Sequence, residues 1–507
     1  MIVGPALTAG VLLLSCAPVH DATPTDCPSG QEPNGAVCVC STTLALPVDG
    51  SCMLEKPSSC QVEDCVDDGN PCTEPSCAVG ASSCSHVPLE DLSPCEHEGG
   101  DGSCISGQCV VEEPIWELGV PFRIGGDGAP IARPAVATGA DGSAIAVWLE
   151  GGALRSSRLI AEVGWNEPVT LDDSVDPARL IDLDADAQGN AIVAYARLEQ
   201  SSIDIRTLRY DAGLGNWDTP TVISREGAVA TRPRVDLTPS GEAFVTWWEA
   251  PASILVARRA SGALSWSEAV LISPDDGFDK EPPFVSIADD GRGGVIFAGD
   301  GPALKAERVW FVPLGPGPFV GAPVEIDAST EETQSTHLAA SNGGVQMAVW
   351  EQGNDIWAAH FSAGIWEPAT RLEVKSNWAV SEQVVPIGGG DFVAVWGQAA
   401  DIRARRYSST DSVWKDLIIL NKSSSSNRPC LVPGAEDEAW LAWLEKDRIR
   451  LRHFVSASGW SIDEVISPVL ATGAPREHRP NLARASDGTI VAVWADGTDV
   501  WTWVDAR

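Results

Sequence analysis

Carboxylates are the side chains of this chain best placed to do chemistry. Asp275, Asp276, Asp279 and Glu281 lie within a span of seven residues, and Asp172, Asp173 and Asp176 within a span of five. Grouped carboxylates can hold a cation, receive a basic ligand, or divide acid and base roles at a glycosidic bond. The plainer reading is a solvated acidic rim. Upstream, Asp64, Asp67, Asp68 and Asn70 offer hard oxygens at the short spacing calcium takes, although Asp-Gly and Asn-Pro are also ordinary turn pairs. Calcium is therefore the one candidate cofactor, and none is required. Trp378, in Lys375-Ser376-Asn377-Trp378, is the aromatic best suited to stack on a sugar. No Gly-x-Ser-x-Gly elbow or His-Glu-x-x-His pair occurs and the seven histidines are scattered, so no catalytic residue is assigned.

A repeat must position these residues. A run of small and β-branched residues ending in an aromatic recurs eight times, for example Ala144-Ile145-Ala146-Val147-Trp148 and Ile490-Val491-Ala492-Val493-Trp494. The anchors are Trp148, Tyr195, Trp247, Phe297, Trp350, Trp396, Trp443 and Trp494, at steps of 47, 52, 50, 53, 46, 47 and 51 residues. Strand-rich units of about 50 residues are the mark of propeller blades. Each unit reads as four strands. An Arg/Pro-led stretch such as Arg232-Pro233-Arg234-Val235 leads through a Gly-containing turn into the aromatic-ending strand. A third strand alternates, as in Ile402-Arg403-Ala404-Arg405-Arg406-Tyr407, and a fourth starts at a tryptophan such as Trp165, Trp217 or Trp366. The repeated tryptophans are expected to pack between neighbouring sheets.

The eighth unit ends after its third strand, Val500-Trp501-Thr502-Trp503-Val504. Trp116 to Pro121, running on to Ile124, resembles the missing fourth strand and would remove an open edge. The fold class is thus all-β: an eight-bladed propeller over 115–507, with seven blades as the alternative, preceded by small disulfide-rich modules. Propeller connectivity puts the two acidic loops on one rim, where Glu150, Glu249, Glu445 and Asp496 would join them, each two residues after its anchor.

Residues 17–114 are of another kind, with 17 acidic residues and one basic, Lys56. The first module, 17–56, holds Cys27, Cys38, Cys40 and Cys52, in a context that resembles EGF-type domains. The second, 57–114, holds Cys60, Cys65, Cys72, Cys77, Cys84, Cys95, Cys104 and Cys109. Twelve cysteines at this density read as a disulfide framework with open connectivity, standing in for a core the segment cannot build. Asp67-Asp68-Gly69-Asn70-Pro71-Cys72-Thr73, with Cys77, Cys84, His86 and Pro88, resembles the cysteine-rich repeats of slime-mould extracellular-matrix proteins, which implies a matrix or surface setting. Within 1–16, a short apolar run precedes Leu13-Leu14-Ser15-Cys16, which resembles the lipobox of bacterial lipoproteins. That resemblance implies lipidation at Cys16 and anchoring at the outer membrane or cell surface; an ordinary secretory signal is the alternative.

Tyr210-Asp211-Ala212-Gly213-Leu214-Gly215-Asn216-Trp217 and Ser458-Gly459-Trp460 resemble the Asp-box turns of sialidases, and Phe122-Arg123-Ile124 is similar to their first arginine motif. The sialidase catalytic set is missing: Gly125 stands where proline belongs, and all three tyrosines (Tyr195, Tyr210, Tyr407) occupy repeat positions. A net charge of −37 excludes nucleic acid as a partner and leaves contact with a membrane only through a lipid anchor. The expected function is non-enzymatic recognition of an extracellular glycan or protein. A glycan-active hydrolase or lyase using the rim carboxylates, and a structural matrix component, are the alternatives.

Overall fold

The computed structural model describes residues 117–506 except 162, 174, 176–180, 275–279, 301–306, 317–318, 328–330, 374–377, 422–425 and 471–478. Before residue 117 it describes Asn70 and a set of short strands. The chain divides into two units, Met1–Ile115 and Trp116–Arg507. Among the described residues every regular element is a strand.

The first unit consists of antiparallel hairpins. Gln31–Asn34 pairs with Val37–Cys40, Pro47–Val48 with Ser51–Cys52, and Thr73–Ser76 with Ser85–Pro88. Pro94–His97, Gly100–Ile105 and Gln108–Val111 form a three-stranded sheet that sets Cys104 opposite Cys109. The Asn70 carbonyl accepts hydrogen bonds from the Thr73 amide and hydroxyl, both at 3.2 Å, which closes a turn. The side chains of the twelve cysteines, together with Cys16, Asp64, Asp67 and Asp68, lie outside the described residues.

The second unit is an eight-bladed β-propeller. Its eight sheets are each antiparallel and follow one another along the chain. Blade 1 shows the pattern. Its inner strand Ile131–Thr138 pairs with Ala144–Glu150, which pairs with Ala153–Ile160; the outer strand is broken into Gly164–Trp165 and Val169–Asp172. The inner strands of the other blades begin at Ile181, Ala230, Phe284, Thr333, Ala379, Ser426 and Asn481. In blade 8 the fourth strand comes from the other end of the unit: Phe122–Gly125 pairs with Asp499–Ala506, which pairs with Thr489–Asp496. That strand starts later than the tryptophan at 116 suggests. Residues 118–119 instead form a turn, and the Gly119 amide donates to the Val504 carbonyl at 2.7 Å.

Eight hydrophobic clusters fill the eight blade interfaces, and each holds the anchor aromatic of the following blade. Tyr195 lies between blades 1 and 2, Trp247 between 2 and 3, and Phe297 between 3 and 4. The series ends with Trp148 against Val491 and Val493, where blade 8 meets blade 1. All eight anchors have no exposed surface. Phe297 does in blade 4 what tryptophan does in six others, so the weakest unit of the repeat is a full blade. Trp443→Ala should lower unfolding free energy by about 3–5 kcal/mol. The exposed Trp378→Ala should change it by less than about 0.5 kcal/mol. Urea denaturation of both variants checks the contrast.

Candidate functional site

Antiparallel pairing puts the start of every inner strand beside the end of the second strand, as in Ile131 opposite Glu150 and Ala230 opposite Glu249. This end of the propeller is the mouth, where the inter-blade connections and second-to-third-strand turns emerge. The Asp-box-like turns occupy the opposite end. There the Asp211 carboxylate accepts the Gly213 and Leu214 amides at 3.0 and 3.1 Å, and Tyr210 packs edge-on against Trp217. Arg123 is on the outermost strand of blade 8, 2.8 Å from Asp499 and remote from the axis.

At the mouth the inner strands carry a bulge. Register shifts occur between Ala132 and Ala135, Thr231 and Arg234, Val380 and Gln383, and Asn427 and Cys430. Arg133, Arg232 and Ser381 take left-handed φ values of 55, 57 and 57° there. Pro134 and Pro233 follow; lacking an N–H, they suit the point where the ladder is interrupted. The Arg-Pro pairs at 133, 232 and 428 therefore mark bulges, and Arg133 and Arg232 are exposed at theirs, whereas Arg479 is exposed just before the inner strand of blade 8.

Deeper in, inner strands present an unpaired edge to the axis, and side chains of the preceding blade satisfy it. Asp182 accepts the Val235 amide at 3.0 Å, Asp184 the Leu237 amide at 2.7 Å, and Asp236 the Ile287 amide at 2.7 Å. Gln383 does the same for Leu431 at 2.6 Å and Asn481 for Val136 at 3.0 Å. Burial pushes the Asp184 carboxyl up to about 6, and pushes Asp236, which also faces the Asp184 charge, well above the usual range. His337 stacks on Phe284 at 4.0 Å between ring centroids, and Arg234 lies 5.5 Å from the same Phe284 ring. Burial, with help from the Arg234 and Arg479 charges, drives the His337 imidazole down to about 3, so it is neutral in ordinary buffers.

Blades 5 and 6 bury carboxyl groups with few partners. Glu382 is 5% exposed and accepts the Ser335 hydroxyl at 3.0 Å. Glu351 is 3% exposed, with a buried Oε1 that has no hydrogen-bond partner. Burial raises Glu382 to about 8 and Glu351 to about 7; the nearby Glu351 charge adds to the first and Arg479 opposes it. Glu373 accepts the Ile356 amide and is also raised by burial to about 7.

The residues singled out in the sequence fall in different places. Trp378 is 68% exposed immediately before the inner strand of blade 6, at the mouth. Glu281 lies at the mouth 3.8 Å from Arg232, and Asp173 is exposed. Asp172 is buried: Tyr195 donates to it at 2.8 Å and Arg197 at 2.8 and 2.9 Å, which ties blade 1 to blade 2. Asp176, Asp275, Asp276 and Asp279 lie outside the described residues. Glu150 and Glu249 do not join an open rim. Each is buried, accepts the indole N–H of its own anchor at 3.0 or 3.3 Å, and meets Arg155 or Arg225. Missed in the sequence were Asp182, Asp184, Asp236, His337, Glu351 and Glu382. Only the alternation Asp182-Leu183-Asp184 and Arg234-Val235-Asp236 signalled polar groups on one side of an inner strand.

No protein-family model and no curated protein matches the chain. Among solved structures it is similar to the Dos1 propeller, with 8% identity over 76% of this chain and 94% of that one and a TM-score of 0.48. It is also similar to a PL25 ulvan lyase bound to a saccharide (8% identity, 77% and 96% covered, TM-score 0.47). A third is the NanB sialidase from Streptococcus pneumoniae (11% identity, 71% and 73% covered, TM-score 0.36). The blade count rests on the strand pairing alone.

The raised carboxyls set a direction for pH dependence. Glu351, Glu373 and Glu382 stay protonated in the folded chain over a range where the unfolded chain has ionised them. The folded state then holds the extra protons, so stability falls as pH rises from about 5 to about 8. Glu382→Gln should flatten that slope and make the variant more stable than the parent at pH 8. Urea denaturation at pH 5, 6.5 and 8 checks both points; an unchanged slope would mean Glu382 ionises normally.

Proposed function

We propose that this chain is an exported protein, anchored at the cell surface or secreted, whose propeller recognises an extracellular glycan at its mouth without cleaving it. The carrying observation is Trp378. Among the described tryptophans it alone is exposed, whereas those of the repeat are buried or half-buried in the blades. A flat ring held in water at a loop-lined mouth suits the apolar face of a sugar. The fate of the acidic groups supports a binding role: Asp172, Glu150 and Glu249 hold blades and anchors in place rather than facing solvent.

One observation favours a second reading, a glycan-active hydrolase or lyase. Glu351 and Glu382 are raised to about 7 and about 8, a range in which a carboxyl can serve as a general acid near neutral pH. The same experiment separates the two. The full chain is run by affinity electrophoresis against a panel of neutral and acidic polysaccharides, with mass spectrometry of each incubation. Retention without new fragments is expected, weakened about tenfold by Trp378→Ala. Reproducible cleavage lost in Glu382→Gln would replace recognition with catalysis.

A further inference from the structure

We infer that the interface of blades 5 and 6 holds a calcium site near the mouth, built from the carboxyls of Glu351 and Glu382 and the hydroxyl of Ser335. The site stands independently of the glycan reading. Strand pairing brings the three side chains together. Trp350 fills the interface of blades 4 and 5, so alternation along its strand turns the next residue, Glu351, toward blade 6. Ser335 is the cross-strand partner of Glu351, which sets their Cβ atoms about 5 Å apart on that face. From blade 6, Glu382 accepts the Ser335 hydroxyl at 3.0 Å. The two carboxyls are near enough that the Glu351 charge adds to burial in opposing ionisation of Glu382.

The repeat shows that neither carboxyl serves the ring. The residue after the anchor is Leu, Ala, Trp or Gly in every other blade, as in Leu149, Ala298 and Leu444. In blade 5 the indole N–H of the anchor is already taken by Gln352, at 3.2 Å, so Glu351 is not needed for it. Glu382 stands at the inner-strand place that carries Pro134, Pro233, Pro283, Pro429 and Pro480 in other blades. Two departures from the repeat thus meet in one interface, and both are buried carboxyls. Glu351 Oε1 has no hydrogen-bond partner, and neither group forms an ion pair among the described residues. A buried acceptor left open costs stability that an apolar residue at 351 would spare. A cation between the two carboxyls supplies the partner that Glu351 lacks.

The donors choose the ion. All three are hard oxygens, which suit calcium and not a transition metal. Among the described residues no three Asp, Glu, His or Cys side chains form a ligand set by themselves, so the Ser335 hydroxyl and water complete the shell. A site with only two carboxylates falls in the weak range of extracellular modules, with a Kd of about 10⁻⁴–10⁻³ M. Bound there, the ion ties blade 5 to the inner strand of blade 6, the strand that Trp378 leads into.

The test is thermal melting of the full chain, freed of metal by a chelator and then titrated with calcium chloride. Sodium chloride of equal ionic strength is the control, because any salt screens a net charge of −37. Calcium at about 10 mM should raise Tm by about 2 °C beyond the control. Glu351→Leu, which restores the residue that blade 1 carries at this place, should raise the calcium-free Tm and abolish the calcium shift. Glu382→Gln, a neutral replacement of the same shape, should abolish the shift without lowering the calcium-free Tm. Terbium, a luminescent stand-in for calcium, should be sensitised by tryptophan in the parent, displaced by calcium, and lose that displaceable signal in both variants. A calcium shift no larger than the sodium control overturns the inference. A shift or a displaceable terbium signal that survives in both variants puts the ion elsewhere in the chain and also overturns it.

Discussion

Burial of one aromatic ring in each blade interface organises the molecule. A four-stranded sheet has two faces to cover, and a single blade can cover neither. Trp148, Tyr195, Trp247, Phe297, Trp350, Trp396, Trp443 and Trp494 each fill the gap against the blade before them. Because every interface needs a neighbour on both sides, the stack is stable only as a closed ring. Phe122–Gly125 completes blade 8 from the N-terminal side, so closure joins the beginning of the unit to its end.

Closure also dictates where polar groups go. The inner strands turn a free edge toward the axis, and the Asp, Gln and Asn side chains of the preceding blade cap its amides. The acidic residues after the anchors serve the frame in the same way, with Glu150 and Glu249 receiving indole N–H groups. Much of the chain's acidity near the axis is therefore structural. Among the described residues that face solvent at the mouth are Arg133 and Arg232 at left-handed bulges, the carboxylates Asp173 and Glu281, and one tryptophan outside the repeat.

The repeat was legible because the anchors have to be large and their strands apolar on both faces, which leaves a mark every turn of the ring. Even the strand that closes blade 8 could be read, by counting strands and finding one short. The candidate site was less legible. Asp172 sits in a loop-like acidic run, and nothing in that run says that Tyr195 and Arg197 will bury it. Glu351 and Glu382 come from different blades, so their proximity depends on ring geometry rather than spacing. The Arg-Pro pairs were visible as a repeat, but the left-handed φ of Arg133 and Arg232, which separates them from ordinary strand residues, appears only in the folded backbone.

Hydrogen–deuterium exchange of the full chain, with and without a polysaccharide that it retains in affinity electrophoresis, tests the central claim most directly, because it reports which end of the propeller the ligand covers. The account predicts protection confined to the mouth, in the peptide spanning Trp378 and in those spanning the starts of the inner strands. Protection at the opposite end, over Asp211 to Trp217 and Ser458 to Trp460, would contradict it, and so would an exchange pattern unchanged by the polysaccharide.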